Sequence, residues 1–173
     1  MKALVKVSLK YGIIASIIAS VLLASLYYLG RHPLLIPVFI DSRLILFGVF
    51  IFFTLREIRD YYQSGILYFW QGIFSSFLFT LSFAILSSLT LAAFIRAVPD
   101  FLNDYIKLSL QQLRSLPPEV IERIGKDVYI RNIALLPATN GWDLALLYFG
   151  QSFMISLFIS IILSVILRRQ PKT

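Results

Sequence analysis

The chain has no cysteine and a single histidine, His32. Without thiols there is no disulfide, no thiolate metal site and no cysteine nucleophile, and one imidazole cannot build a multi-histidine metal centre. Charge is scarce as well. Only 14% of the 173 residues are charged, against 58% hydrophobic, and the mean hydropathy is +0.82. A soluble domain of this length buries roughly 70% of its unfolded-chain surface, too little to hide four long apolar runs, so the composition is that of a membrane protein. An HExxH motif, paired carboxylates inside an apolar run and a phosphate-cradling glycine loop are also missing, Gly65 and Gly72 standing alone. Metal-dependent intramembrane proteolysis therefore lacks its parts. The serines of the apolar runs have no histidine or lysine at matching depth to activate one. No catalytic, cofactor-binding or metal-ligating residue is assigned; the chain is expected not to be an enzyme and to need no cofactor.

What is present is an all-α pattern of four transmembrane helices, a polytopic single domain over 1–173 without repeats or linkers. The spans run over about 11–29, 38–57, 69–95 and 144–167. Each covers, at 1.5 Å per residue, most or all of a hydrocarbon core near 30 Å. The first follows basic residues as a signal peptide does, but it is long and no small-x-small cleavage site follows it, so it is expected to be retained. Tyr11, Tyr61, Tyr62, Tyr68 and Trp70 mark one interface, and Tyr27, Tyr28, Trp142 and Tyr148 the other. The net charge is +7. All but one of those charges belong to the segments holding Lys2, Lys6 and Lys10, Arg56 and Arg59 (balanced by Glu57 and Asp60), and Arg168, Arg169 and Lys172. Short basic segments stay in the cytoplasm, which places both termini inside a bacterial inner membrane. The basic balance thus reflects topology, with membrane lipid rather than nucleic acid as the partner, and the same lysines can also attract anionic lipid.

Three spans carry a stripe of small or hydroxyl residues at four-residue spacing: Gly12, Ser16, Ser20 and Ala24; Gly72, Ser76, Thr80, Ala84 and Ser88; Ser152, Ser156, Ser160 and Ser164. Residues four apart share one helix face, and in lipid a small-residue face is where helices approach closely, because apolar side chains gain nothing by leaving the acyl tails. These are helix-packing residues, not a reaction centre.

The second span has no such stripe. Phe47, Phe50, Phe52 and Phe53 surround a lone Gly48, which suits a helix facing lipid or a partner at the bundle edge. Its apolar run, Leu44 to Leu55, is short, and extending it back to Val38 includes Asp41 and Arg43. The plain reading sets both at the outer headgroup level with Arg43 snorkelling; the sharper one makes Asp41 an intramembrane ion or proton site paired with Arg43. Gln71 and Gln151, near ends of the third and fourth spans, fall on opposite membrane sides and are each read as tying a loop to the bundle. Between them lies the only sizeable polar segment, about 97–141. There Pro99-Asp100 starts an amphipathic helix bearing Leu102, Tyr105, Ile106, Leu113 and Leu116 on one side. Pro117-Pro118 stops it and starts a second, a third short stretch covers about 128–136, and Pro137 to Gly141 is a turn. These helices are expected to cap the bundle on the extracytoplasmic side.

The run from Tyr61 to Gly72 (YYQSGILYFWQG), the Pro99-Asp100-Phe101-Leu102 start and the Pro118-Glu119-x-Ile121-Glu122 helix start resemble a family of short four-span Bacteroidetes inner-membrane proteins, the domain of unknown function DUF4199. The resemblance covers nearly the whole length, with fewer charges in the external helices than the usual pattern. It implies the four-span topology and a bacterial inner membrane, and no activity. The leading functional expectation is a non-enzymatic subunit or accessory protein of an envelope complex, contacting a protein partner or a second copy through the extracytoplasmic helices or span two. The alternative is a small transporter or lipid-handling protein with a cleft among spans one, three and four, bordered by Ser75, Ser76, Ser152 and Ser156.

Overall fold

The computed structural model describes residues 1–37 and 40–170. Seven α-helices follow one another: α1 (Lys2–Tyr28), α2 (Ser42–Glu57), α3 (Phe69–Ala97), α4 (Asp100–Arg114), α5 (Pro118–Ile124), α6 (Lys126–Leu135) and α7 (Gly141–Leu167). Short 3-10 turns occupy Pro33–Leu35 and Leu136–Ala138, and α2 runs on into a π turn, Ile58–Tyr62. Among the described residues there is no strand; Leu67 and Arg169 pair as an isolated antiparallel bridge. The Val38 start that hydropathy suggests for the second span lies, with Phe39 and Lys172, outside the described residues.

The local chemistry sets where the helices begin. Asp41 caps α2 by accepting from the backbone N–H of Arg43. At the start of α7, Asn140 accepts from the amides of Trp142 and Asp143 while the Asp143 carboxylate accepts from the Asn140 amide, a reciprocal capping box. Gln71 reaches back to the Tyr68 amide at the head of α3. Proline at the first position of α5 needs no amide partner there.

Helices α1, α3 and α7 are long and apolar enough to cross a membrane. At 16 residues α2 is shorter. The four pack as a bundle in which α3 lies between α1 and α7, and α2 closes the far side against α7 and α1. Helices α4–α6 cover the end where α1 and α3 finish and α7 begins, here the capped end. The other end, here the basic end, gathers Lys10, Arg56, Arg59, Arg168 and Arg169.

Close approach holds α3 in the middle. A Cβ on Gly12 would come within 1.9 Å of Ser82 Oγ and 2.7 Å of the Phe79 carbonyl oxygen. On Gly72 it would meet Ser164 Oγ at 2.7 Å and Ser164 Cβ at 2.9 Å. Farther along, the Thr80 and Ser156 hydroxyls are hydrogen-bonded. Thr80 already donates its proton to the Ser76 carbonyl at 2.8 Å, so Ser156 is the donor between helices. Gly72 against Ser164 and Thr80 against Ser156 set an antiparallel register that brings Ser76 level with Ser160 and Ala84 level with Ser152. Gly12, Ser16, Gly72, Ser76, Thr80, Ser152, Ser156, Ser160 and Ser164 are all buried, and Ser20 is half-buried with its hydroxyl on the Ser16 carbonyl. Two of these hydroxyls, Ser76 and Ser164, have no hydrogen-bond partner among the described residues. Size rather than bonding is what the stripe supplies.

Helix α2 differs from its lipid-facing expectation. Phe47, Ile51 and Leu55 are fully buried, and the Phe47 ring sits edge-on to Phe83 at 4.7 Å and to Phe79 at 6.1 Å. Phe53 points outward and Phe50 is half-buried against Tyr11. Lacking a small-residue face, α2 packs against α3 through the Phe47 ring.

Gly12→Ala and Gly72→Ala are therefore expected to cost about 1–3 kcal/mol through overpacking. Gly48→Ala and Gly150→Ala, where no atom lies within 4 Å of the added carbon, should be neutral or gain up to about 1 kcal/mol of helix propensity. Ser156→Leu and Ser160→Leu belong with the first pair, and Phe50→Leu with the second. Thermal unfolding in detergent measures all of them, and equal losses in the two groups would refute the assignment of faces.

Candidate functional site

The buried charges converge at the capped end. Arg43 is only 5% exposed and Asp41 8%. The Asp41 carboxylate receives the Arg43 backbone amide on Oδ1 at 2.9 Å, and on Oδ2 the guanidinium Nε at 2.8 Å together with Nη2. Nη2 also donates to Gln151 Oε1 at 2.9 Å, and Nη1 to Ser152 Oγ at 3.3 Å and the Tyr148 carbonyl at 3.4 Å. The guanidinium carbon lies 4.4 Å from the centre of the Tyr148 ring, within cation–π range. Tyr148, Gln151 and Ser152 are spaced i, i+3, i+4, so one face of α7 presents all three.

This corrects the snorkelling reading. Arg43 does not reach for the headgroups; it turns into the bundle and bridges α2 to α7. Gln151 likewise ties no loop but receives a guanidinium from the neighbouring helix. The physical reason is saturation. An arginine has five N–H donors, and here each has an acceptor, which lowers the cost of taking the charge out of water. A buried ionisable pair in an apolar bundle is a functional candidate. Here every guanidinium donor is engaged, and Asp41 accepts once on Oδ1 and twice on Oδ2, so the pair as it stands bridges α2 to α7. Its chemistry is that of a lock.

A second cluster fastens the cap. His32, 7% exposed, bonds through Nε2 to the Phe101 carbonyl at 3.1 Å, its ring 4.4 Å from Phe101 and 5.5 Å from Tyr105. A carbonyl only accepts, so Nε2 carries the proton and Nδ1, which has no partner among the described residues, carries a lone pair. The Tyr27 hydroxyl donates to Asp104 Oδ2 at 3.0 Å, and its ring packs on Phe94 and Phe101. Burial lowers the His32 pKa below its ordinary value, against the opposing pull of the Phe101 carbonyl and the Asp104 charge.

At the basic end Lys10 meets both Glu57 oxygens at 2.9 and 2.8 Å, and the Tyr11 hydroxyl donates to the same carboxylate at 2.7 Å. Gln71 serves only the head of α3. Apart from Ser152, which accepts from Arg43, the striped residues run along the helix seams. Among the described residues no set of three or more His, Asp or Glu is placed to hold a metal ion.

A helical bundle with three helices able to cross a membrane, charges buried in mutual contact and polar caps at its ends is a membrane protein. The family described as "Protein of unknown function (DUF4199)" matches residues 10–169, and the chain belongs to it. No curated protein and no solved structure matches the chain.

Two measurements follow. Arg43→Met leaves a buried carboxylate without its partner and should cost about 3–5 kcal/mol, whereas Asp41→Leu combined with Arg43→Met should recover most of that loss. Unfolding of the two variants in detergent compares them, and a single-variant loss below about 1 kcal/mol, the value for exposed pairs, would mean that the pair is solvated. For His32, the unfolded chain takes up a proton near the ordinary pKa of about 6.5 while the folded chain resists it. The stability it contributes is complete above that pH and declines as the pH falls below it. His32→Gln should flatten this decline, read as the unfolding temperature between pH 7 and pH 5.

Proposed function

We propose that this is a bacterial inner-membrane protein with four spans, α2 included, and both termini in the cytoplasm. It acts by contact, as a non-enzymatic subunit or accessory protein of an envelope complex. Connectivity supports the fourth span. Gly12 lies against Phe79 and Tyr27 against Phe94, so α1 and α3 run in the same direction. The chain between two parallel crossing helices has to return across the membrane, and α2 is the helix that lies along the bundle within it. Its 16 residues reach about 24 Å, and burial of Asp41 and Arg43 in mutual contact removes the charges that would otherwise oppose insertion.

The observation that carries the contact reading is the contrast between bundle and cap. Inside the bundle the charged groups satisfy one another. On the cap, α5 and α6 bury no residue at all, and Ile130 and Leu135 are 63% and 60% exposed. These uncovered apolar side chains are the surface that the contact reading assigns to a partner. A transport or lipid-handling cleft among α1, α3 and α7 has less support, because Ser75, Ser76, Ser152 and Ser156, its expected border, are each at most 1% exposed.

A photo-crosslinking amino acid at Ile130 or Leu135 in native membranes should capture a discrete protein adduct, with a second copy of this chain counting as a partner. The same probe at Phe53 on α2 is the control. Adducts at the cap no different from those at Phe53, together with a monodisperse monomer after gentle extraction, would overturn the contact role.

A further inference from the structure

Three grooves of similar size open at the two ends of the bundle, and their charges separate them. The groove at the basic end, about 530 Å³, is walled by Arg56 but also by Glu57 and Asp60. Its cation lies 3.6 Å from Asp60, so an anion entering there meets carboxylates. The groove between α4 and α6, about 490 Å³, has no charged side chain in its wall. The third, about 470 Å³, lies between α4 and the loop that follows α1. Its polar wall holds Arg31, His32, Gln111 and Ser115, its apolar floor includes Leu35 and Leu108, and no carboxylate lines it. Among the described residues Arg31 belongs to no ion pair.

We propose that this third groove binds a phosphate-bearing headgroup, with Arg31 as the charged contact. A guanidinium grips phosphate oxygens through paired, charge-assisted hydrogen bonds, and the Gln111 amide and Ser115 hydroxyl supply neutral contacts beside it. Depth agrees with this chemistry. Arg31 follows the end of α1 by three residues, next to the Tyr27–Tyr28 pair, and a 27-residue helix of about 40 Å already exceeds the hydrocarbon core. The groove therefore sits at the headgroup layer, where Leu35 and Leu108 can receive the first acyl carbons. His32 lines the same groove, its ring held there by the bond from Nε2 to the Phe101 carbonyl. The carboxylate whose charge His32 feels, Asp104, is already engaged by the Tyr27 hydroxyl. An anionic phospholipid and a free phosphate ester share this chemistry.

The test uses the full chain in a sugar-based detergent, with thermal unfolding read against added ligand. The probes are phosphatidylglycerol, a phosphate-free glucosyl diacylglycerol, and glycerol phosphate. Phosphatidylglycerol should stabilise the protein saturably. Arg31→Gln should weaken its apparent affinity about tenfold or more, the equivalent of one charge-assisted hydrogen bond, and Gln111→Leu should weaken it less. Lys126→Gln, a cap cation outside the groove wall, should leave it unchanged. Equal stabilisation by glycerol phosphate would identify the free ester as the source; stabilisation by the lipid alone identifies the headgroup. Stabilisation by the phosphate-free lipid to the same extent, or full retention in both Arg31→Gln and Gln111→Leu, overturns the proposal. The site rests on the membrane reading and not on the contact role. Losing lipid binding leaves cap crosslinks intact, and losing crosslinks leaves lipid binding intact.

Discussion

The approach of α1 and α7 to opposite sides of α3 is the constraint from which the remaining architecture follows. In lipid no hydrophobic force pushes helices together, so association depends on dispersion between surfaces that fit. Dispersion weakens steeply with even a fraction of an ångström of gap. Gly12 lies where any side chain would strike the Phe79 carbonyl, and Gly72 lies on the Cα–Cβ bond of Ser164. These contacts fix the spacing at two heights along α3. The hydroxyls between them add little energy, about 0.6 kcal/mol for a typical interhelical bond in lipid, but they are slender enough to let the backbones meet.

With three helices so placed, α2 faces a groove rather than a partner of its own kind. It joins by a different device at each level. Deep in the bundle the Phe47 ring wedges between Phe79 and Phe83. At the capped end Arg43 must satisfy Asp41, Gln151, Ser152 and the Tyr148 carbonyl together. Rotation of α2 by a quarter turn would strand a guanidinium in an apolar setting, so the pair selects one orientation. A buried ion pair is weak support for stability as such, since matched apolar side chains often do as well. Its effect here is on register: α2, the helix without a small-residue face, is the one that carries the polar key.

The long apolar helices were legible because hydropathy is a property of one helix at a time. Hydropathy located α1, α3 and α7; in the structure Gly72 lies against Ser164 and Thr80 bonds to Ser156. The amphipathic run from Leu102 to Leu116 likewise announced α4. What the sequence could not reveal were groups whose partners lie on another element. Arg43 at the edge of an apolar run has the appearance of a snorkelling side chain, and nothing local distinguishes that from an inward turn. The clue was on α7, in the acceptors at Gln151 and Ser152 one turn beyond an aromatic ring. Phe47 was misjudged for the same reason, since aromatic residues suit lipid and a helix interface equally well. The His32 latch left no trace at all, because its acceptor is a main-chain carbonyl 69 positions away.

The two ends of the molecule are built to different tolerances, and this bears on where it can act. At the basic end the contacts are reciprocal: Lys10 with Glu57, Arg59 with Asp60, and the backbone pair of Leu67 and Arg169 holding the α2–α3 connection to the end of α7. At the capped end the attachment narrows along the chain. Phe101 is fully buried among Tyr27, Phe94 and His32, Ser109 is the last buried residue of α4, and from Leu110 to Asn140 nothing is buried. These 31 residues thus stay folded through contacts among themselves and a few half-buried apolar side chains on α4. Local stability follows buried apolar contact, so α5 and α6 belong to the least stable part of the chain, while the bundle beneath them is fixed by glycine contacts that tolerate no displacement. The contact role proposed for this protein rests on that contrast between a rigid base and a loosely held, apolar-faced platform. The bundle sets where that platform stands, and the covering of Ile130 and Leu135 is what would complete its fold.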